Sequence, residues 1–429
     1  MVWRVARSEG ARAVRERLLD HLAEARRRRG FPLLRSEPDA ARFPFPVLDL
    51  TAAQPVPWLG GSQLLLGSRL EREGASRPTA LLFPDRDGWR LELRRDGLRG
   101  HLRLRAPQPS PVDLDLPAQA ELVIDAVRRV GARLVHVHGL AGWSPRALAA
   151  ATRLPSKLAI SLHDFAGFCL RPHLLEQPEG RFCGFSRDPA RCARCLAESW
   201  SLPPGFQERR REAMAELLRS AEALVFPSPY LATAVEELYP GLPARRLVLP
   251  PSPSGLPRER RPAPLFPPQH VAFVGSVHPH KGAAVFERLV REWRGPTVRW
   301  SAFGNGDRAW LDRLRSVGVE VRGYYRTGSL PELLVRERVD VALALSVVPE
   351  SYGLVLDECR AAGVPVVAFA HGALAERLVR VGAGRTVTLA DGAAGVAAAL
   401  AAPFAPVPAP EPFDATDAHL GLYRELGIL

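Results

Sequence analysis

From Phe45 onward, short apolar runs alternate with longer stretches whose apolar residues recur every three or four positions. FPVLDL (45–50), TALLFP (79–84), ARLVHVHG (132–139), LAISLHD (158–164) and ALVFPSP (223–229) read as buried strands, with helices over 62–73, 119–130 and 207–220. The alternation restarts beyond residue 269 with HVAFVGS, VRWSAFG, VEVRGY, VDVALALS, VPVVAFA and GRTVTL, again separated by helical stretches. Strand–helix alternation predicts parallel sheets covered by helices on both faces, hence an α/β chain of two Rossmann-like, doubly wound domains. Between the two series lies 250–269, dense in proline, which cannot donate to a sheet ladder and reads as a linker.

The expected boundaries follow. Residues 1–44 form an extension with a basic helix over 8–29, where Val14, Leu18 and Leu22 share one side before Arg26 to Arg29 and the stop Gly30-Phe31-Pro32. Residues 45–249 make the first domain, including a Cys-rich loop at 167–198; 270–402 make the second. In the tail, 403–429, DATDAHLGLYRELGIL reads as an isolated amphipathic helix packing back across the hinge. Ligands of doubly wound sheets bind at the carboxyl ends of the strands, so the functional residues should line a cleft that both domains face.

Composition adds three constraints. At 429 residues and 46% hydrophobic, the chain can build two cores. Its net charge of +12 is almost wholly arginine, since only Lys157 and Lys281 are lysines among 58 basic residues. The arginines are spread along the chain and the aromatic residues (7%) are not interleaved with them, which argues for mild anion attraction over a nucleic-acid face. The amino terminus lacks a signal-peptide core and no run of about 18 apolar residues occurs, so the expected location is cytoplasmic. The basic 8–29 helix leaves a peripheral contact with the inner membrane face as a second reading.

Candidate chemistry concentrates in the second domain. A helix expected from about Ser351 to Ala362, stopped by Gly363-Val364-Pro365, presents free N–H groups and a positive dipole end, a natural diphosphate seat. Glu350 precedes it, and Glu358 lies seven residues past Ser351, roughly 10 Å along the axis. Two acids flanking such a seat can accept hydrogen bonds from the hydroxyls of a hexose and a ribose; alternatively Glu350 only favours the helix start and Glu358 is a surface residue. FVGSVHPHKG, with Gly275 and Lys281, FGNGD, with Gly304, and FAHGALAE, with Gly372 and Glu376, each place glycine or charge after a strand.

Strand-Gly-x6-Lys-Gly, Gly-x-Gly-Asp, Glu-x7-Glu and Gly-x3-Glu in this order resemble the carboxyl domain of family 4 (group 1) glycosyltransferases of the GT-B fold. The likeness covers roughly 270–400 closely and the first domain loosely. It implies that Lys281 holds the donor diphosphate, that Glu350 contacts the donor sugar, that Glu358 holds the ribose and that backbone around Tyr352, Gly353 and Leu354 cradles the phosphates. The implied reaction is retaining transfer from a nucleotide-diphosphate sugar to a hydroxyl of a glycan, lipid-linked or small-molecule acceptor, in envelope or exopolysaccharide synthesis, with no catalytic cofactor. The family's arginine after the first-loop glycine is Ser276 here, and His278 or His280 is the candidate replacement.

In the first domain Gly60-Gly61 matches the family's glycine pair, and His136, His138 and His163 stand at strand ends. His136 reads as a core residue; the resemblance puts His163 near the transfer site, where Asp164 would orient it or the acceptor. Cys169, Cys183, Cys192 and Cys195 form C-x13-C-x8-C-x2-C, which fits a structural zinc site, with unligated or redox thiols and an iron–sulfur cluster as alternatives and His173 as a substitute ligand. Cys359 reads as buried. The rival functions are a basic zinc-binding nucleic-acid protein, which leaves the Lys281 and Glu350 loops unexplained, a GT-B nucleotide-sugar epimerase, and a degenerate non-catalytic relative.

Overall fold

The computed structural model describes residues 45–53, 66–67, 69–70, 72–73, 77–85, 88–95, 98–108, 110–150, 154–251, 260–326, 328–411 and 415–429. The extension with its 8–29 helix, the Gly60-Gly61 turn and linker residues 252–259 lie outside them. The described chain divides into two compact units, a first built on residues 45–178, 183–251 and 415–429, and a second on 179–182 and 260–411.

The first unit holds β1 (Val47–Thr51), β2 (Thr79–Asp85), β3 (Gly88–Arg95), β4 (Leu98–Leu104), β5 (Leu134–His138) and β6 (Lys157–Ser161). It also holds β9 (Ala223–Phe226) and β10 (Arg245–Val248); between β6 and β9 in the chain come the two-residue strands β7 (Leu175–Glu176) and β8 (Arg181–Phe182). Its eight-stranded sheet runs β10-β9-β6-β5-β1-β2-β3-β4. From β10 to β2 every pair is parallel, and every residue of β1 and β5 is buried, as strands covered on both faces require.

The expectation of a wholly parallel sheet fails at one edge, because β2, β3 and β4 pair antiparallel. Trp89, Leu91 and Leu93 are buried while Arg90, Glu92 and Arg94 between them are only half-buried, the alternation of a sheet with one packed face. The dipeptide Asp96-Gly97 between β3 and β4 is the sequence signal for a two-residue hairpin. The tail helix Ala415–Glu425 packs on the first unit: Leu422 and Tyr423 join Val47, Leu134, Ala159 and Val225 in one core, and Lys157 Nζ donates to Leu426 O at 2.7 Å.

The second unit holds six parallel strands, β11 (His270–Val274), β12 (Arg299–Phe303), β13 (Glu320–Gly323), β14 (Val341–Ala344), β15 (Val366–Phe369) and β16 (Gly384–Val387), ordered β13-β12-β11-β14-β15-β16. Counted from β11 this is the 3-2-1-4-5-6 order, whose direction of winding reverses between β11 and β14. Val271, Phe273, Val341 and Leu343 feed one core while Ala272, Val274, Ala342 and Ala344 feed the core on the opposite face.

The linker is shorter than expected at its carboxyl end. Arg261 donates from its backbone to Ala362 O (2.7 Å) and from its guanidinium to Asp340 (2.6 Å), and Arg260 reaches Val407 O (2.6 Å), so these residues belong to the second unit. Val407 is buried in the same unit's core, so the tail begins later than residue 403. Among the described residues no helix is long and apolar enough to cross a membrane.

Candidate functional site

In an open parallel sheet the crevice forms where the winding reverses, here at the carboxyl ends of β11 and β14. The loops leaving those ends are tied together. Val347 N and Ser346 Oγ donate to His280 O at 3.0 and 3.2 Å, and His371 Nε2 donates to Ser346 O at 2.8 Å. Gly282, at φ 85°, leaves no room for a side chain, since a Cβ there would fall 1.9 Å from Leu345 O. This approach sets Lys281, at the end of the short turn Pro279–Lys281, so that its Nζ donates to Glu350 Oε1 at 2.5 Å. The pair is about a quarter exposed, at 30% and 22% of side-chain area, and a ligand can reach both groups.

Glu350 is held from behind. Its carbonyl accepts from Ala373 N at 2.9 Å, and Gly372, at φ 72°, lies so close that a Cβ would meet Glu350 N at 2.7 Å. Gly304 (φ 143°) is similarly constrained by Gly275 O at 1.9 Å from a built Cβ, whereas Gly275 (φ 122°) faces open space. Gly275 is therefore the glycine whose backbone a ligand can approach, and Gly304 and Gly372 act on loop packing. Ser276 is half-buried, and His278 Nδ1 lies 3.0 Å from Asp307 Oδ2 with its ring stacked on His280.

The helix expected from Ser351 starts later, at Leu354, and runs to Ala362. Gly353, at φ 83°, turns the chain out of the helix and caps it, so Glu358 is the fifth helical residue, about 6 Å from the start and not two turns in. The surface alternative for Glu358 does not hold: it is 6% exposed. Burial pushes its pKa up to about 7, against a weak hydrogen bond from Gly328 N (3.4 Å) and with a small push from Asp357. Tyr325, buried beside it, is raised by burial and then by the Glu358 charge. Glu376 is exposed on helix Gly372–Val381.

Two residues that sequence reasoning missed fix the approach to this helix. The Arg377 guanidinium donates to Tyr352 O and Gly353 O at 3.1 Å each and to Asp357 Oδ1 at 2.6 Å, and lies 3.6 Å from the Tyr352 ring centre. Asp357 adjoins Glu358 and Arg377 adjoins Glu376, so adjacency to motif positions was the available signal.

In the first unit, a cleft of about 540 Å³ is lined by Arg69, Arg72, His138, His163 and His419 with an apolar side at Val225 and Phe226. Beneath it runs a buried network. Arg69 donates to Asp49 Oδ1 (2.5 Å) and to the Tyr423 hydroxyl (2.5 Å); His138 Nε2 lies 2.9 Å from Asp49 Oδ1. His136 joins the Tyr423 hydroxyl (2.7 Å) to Ser161 Oγ (2.8 Å), which makes it a structural residue. Burial, then the Arg69 charge, lowers His163 to about 4, so the imidazole is neutral at pH 7.

Asp49, His136 and His138 have ligand atoms all within 4.8 Å of one another, the spacing of a metal site. Arg69 already places a cation 2.5 Å from Asp49 and 3.2 Å from His138 Nε2, so the cluster is built around a guanidinium. Asp164 accepts from Ala166 N at 2.8 Å, closing a turn of its own loop, and its pKa is raised by burial.

The four loop cysteines all line one cavity of about 440 Å³, while His173 is exposed and is not part of its lining. Their sulfurs do not form a set within 4.8 Å of one another; among the described residues the Asp49 group is the one that does. Cys359 is buried in the core of the second unit.

Residues 268–403 match the family model described as glycosyl transferases group 1. A comparison with curated proteins gave no match. Among solved structures, sucrose-phosphate synthase from Thermosynechococcus elongatus is similar with a TM-score of 0.57 at 16% identity, over 89% of this chain and 99% of that one. HepE of Anabaena, solved in complex with UDP, follows with a TM-score of 0.52 at 15% identity, over 89% and 100%. The lipopolysaccharide outer core galactosyltransferase WaaB gives 0.52 at 14% identity, over 82% and 90%. The fold is that of the GT-B glycosyltransferases, two Rossmann-like sheets in one chain.

Proposed function

We propose that this chain, whose residues 268–403 match the model of group 1 glycosyl transferases, transfers a sugar from a nucleoside diphosphate sugar to an acceptor hydroxyl with retention at the anomeric carbon. The observation that carries this reading is the Lys281–Glu350 pair, 2.5 Å apart at the reversal point of the second sheet and adjoining the amino end of helix Leu354–Ala362. A diphosphate there would meet the ammonium of Lys281 and the free N–H groups of the first turn, which stabilise the charge that builds on the leaving oxygen. Glu358, one turn further and almost without solvent, is placed to take ribose hydroxyls, and Glu350 to take those of the sugar.

In the reaction the bond from the anomeric carbon to the diphosphate oxygen breaks, a bond to the acceptor oxygen forms, and the acceptor proton passes to the departing diphosphate. The first unit would hold the acceptor, with the cleft at Arg69, His138 and His163 as the place and the neutral His163 as a polar contact. HepE has been solved with UDP and with UDP-glucose, which makes UDP the first nucleotide to try.

Calorimetric titration of UDP, GDP, ADP and dTDP tests the reading. One nucleotide should bind in the micromolar range, and Lys281→Ala should weaken it by about 10- to 100-fold, the worth of a charge-assisted hydrogen bond. Absence of binding by all four to folded protein would refute it. Product analysis with the matching nucleotide sugar, with and without acceptor glycans, then separates transfer from epimerisation.

A further inference from the structure

The segment from Cys169 to Ser199 has little regular structure: one nine-residue helix, Pro189–Ala197, the two-residue strands β7 and β8, and a small cluster of Leu170, Leu196 and Phe206 with Cys169 against it, tied by polar contacts such as Arg171 to Cys195 O at 2.9 Å. Loops of this length without a core of their own need another constraint. Four cysteines from three places in the segment turn to one cavity. Cys192 and Cys195, three residues apart on the helix, share a face, while Cys169 and Cys183 come from the chain before it, one ahead of β7 and one directly after β8, and Phe168, Leu174 and Leu196 supply apolar wall.

Three of the sulfurs have donors directed at them. Arg171 N donates to Cys169 Sγ at 3.4 Å and Gln177 N to Cys195 Sγ at 3.3 Å, and the Arg211 guanidinium lies 4.0 Å from Cys192 Sγ. Backbone N–H groups and a guanidinium directed at sulfur are the outer contacts that orient metal-bound cysteines. Arg191 and Glu176, which also line the cavity, are joined by two hydrogen bonds of 2.5 Å into a neutral pair, which leaves the four sulfurs as the cavity's remaining metal-binding groups.

We propose that Cys169, Cys183, Cys192 and Cys195 bind one zinc ion that staples this loop, independently of whether the chain is a glycosyltransferase. Four thiolates with no carboxylate or imidazole among them select a tetrahedral, borderline-soft ion. Sulfurs around such an ion stand about 3.8 Å apart, given a metal–sulfur bond of about 2.3 Å. Binding therefore draws the four sulfurs closer together.

Metal analysis and spectroscopy on the full chain, purified and kept under reducing conditions, decide it. The expected results are one zinc per chain surviving dialysis, a cobalt-substituted form with the intense visible bands and sulfur charge-transfer band of tetrahedral thiolate, and four thiols that alkylate only after a chelator is added. Cys192→Ser and Cys195→Ser should each lose zinc to a competing chelator at least about tenfold more readily. Should a substituted chain fail to fold, the alkylation experiment on the unsubstituted protein still decides. Zinc below about a tenth of an equivalent after refolding with excess metal, four thiols open to alkylation without chelator, two disulfides, or iron with sulfide in place of zinc would each overturn the proposal.

Discussion

Glu358 is the residue on which burial and proposed role press hardest against each other. Its carboxyl is raised from the usual 4.5 to about 7, with burial as the first cause. A folded-state value above the unfolded one means that the native chain binds more protons between these two pH values, so stability is greatest below about 4.5 and falls as pH rises toward 7. About 2.5 units at about 1.4 kcal/mol each gives a cost near 3 kcal/mol for holding the ionised group at pH 8. Glu358→Gln keeps the shape and removes the charge. Other buried acids, such as Asp164, titrate equally in both proteins and cancel in the comparison.

The assay is the difference in unfolding free energy of the second unit, Glu358→Gln minus the unsubstituted chain, followed by urea at pH 5 and pH 8. The variant should gain by about 2–3 kcal/mol more at pH 8 than at pH 5. If ribose hydroxyls donate to the carboxylate, nucleotide affinity should also rise from pH 6 to pH 8 and lose that dependence in the variant. Equal stability differences at both pH values would refute the burial argument. A pH-dependent stability difference without any change in nucleotide binding would leave burial standing and remove Glu358 from the donor site.

Gly282→Ala should destabilise the second unit by about 3 kcal/mol, from left-handed backbone plus a Cβ 1.9 Å from Leu345 O, whereas Gly382→Ala, with φ 60° and nothing within 4 Å, should cost about 1; urea unfolding of both separates the terms. Ser276→Arg, supplying a guanidinium beside Gly275, should tighten nucleoside diphosphate binding up to about tenfold by calorimetry. Tyr423→Phe strands Arg69 and His136 in the core and should lower first-unit stability by about 1–3 kcal/mol, with faster proteolysis at the tail. His163 has a folded pKa of about 4, so its contribution is present above about 6.5 and is lost as pH falls toward 4. His163→Gln should accordingly gain on the unsubstituted protein in thermal unfolding at pH 5 and not at pH 8.

The strands that build both sheets were legible because buried parallel strands are short, continuous apolar runs, and Lys281 stood out because lysine is so scarce. The β3–β4 edge carried its own signal in the Trp89, Leu91, Leu93 alternation and Asp96-Gly97, but a parallel reading of the domain passed over it. Arg377 had only its place beside Glu376: its burial distinguishes it from most other arginines, and burial is a tertiary property. The same holds for Arg69 and Tyr423, which meet across 354 residues of sequence. The start of helix Leu354–Ala362 was misplaced because Gly353 adopts a left-handed backbone that sequence allows but does not demand.

The motif glycines show what their spacing does in the second unit. Gly282, Gly304 and Gly372 sit where a side chain would strike another loop's backbone, at Leu345 O, Gly275 O and Glu350 N. Each such approach fixes the distance between two strand ends, and the loops so fixed carry Lys281 and Glu350. The 2.5 Å contact of these side chains, 69 residues apart in sequence, is therefore a consequence of where the chain lacks side chains. Gly275 differs because the space beside it is open. The pattern thus encodes a rigid cradle and leaves one stretch of backbone free for a ligand, and replacing Gly275 should disturb binding more than stability while replacing Gly282 should do the reverse.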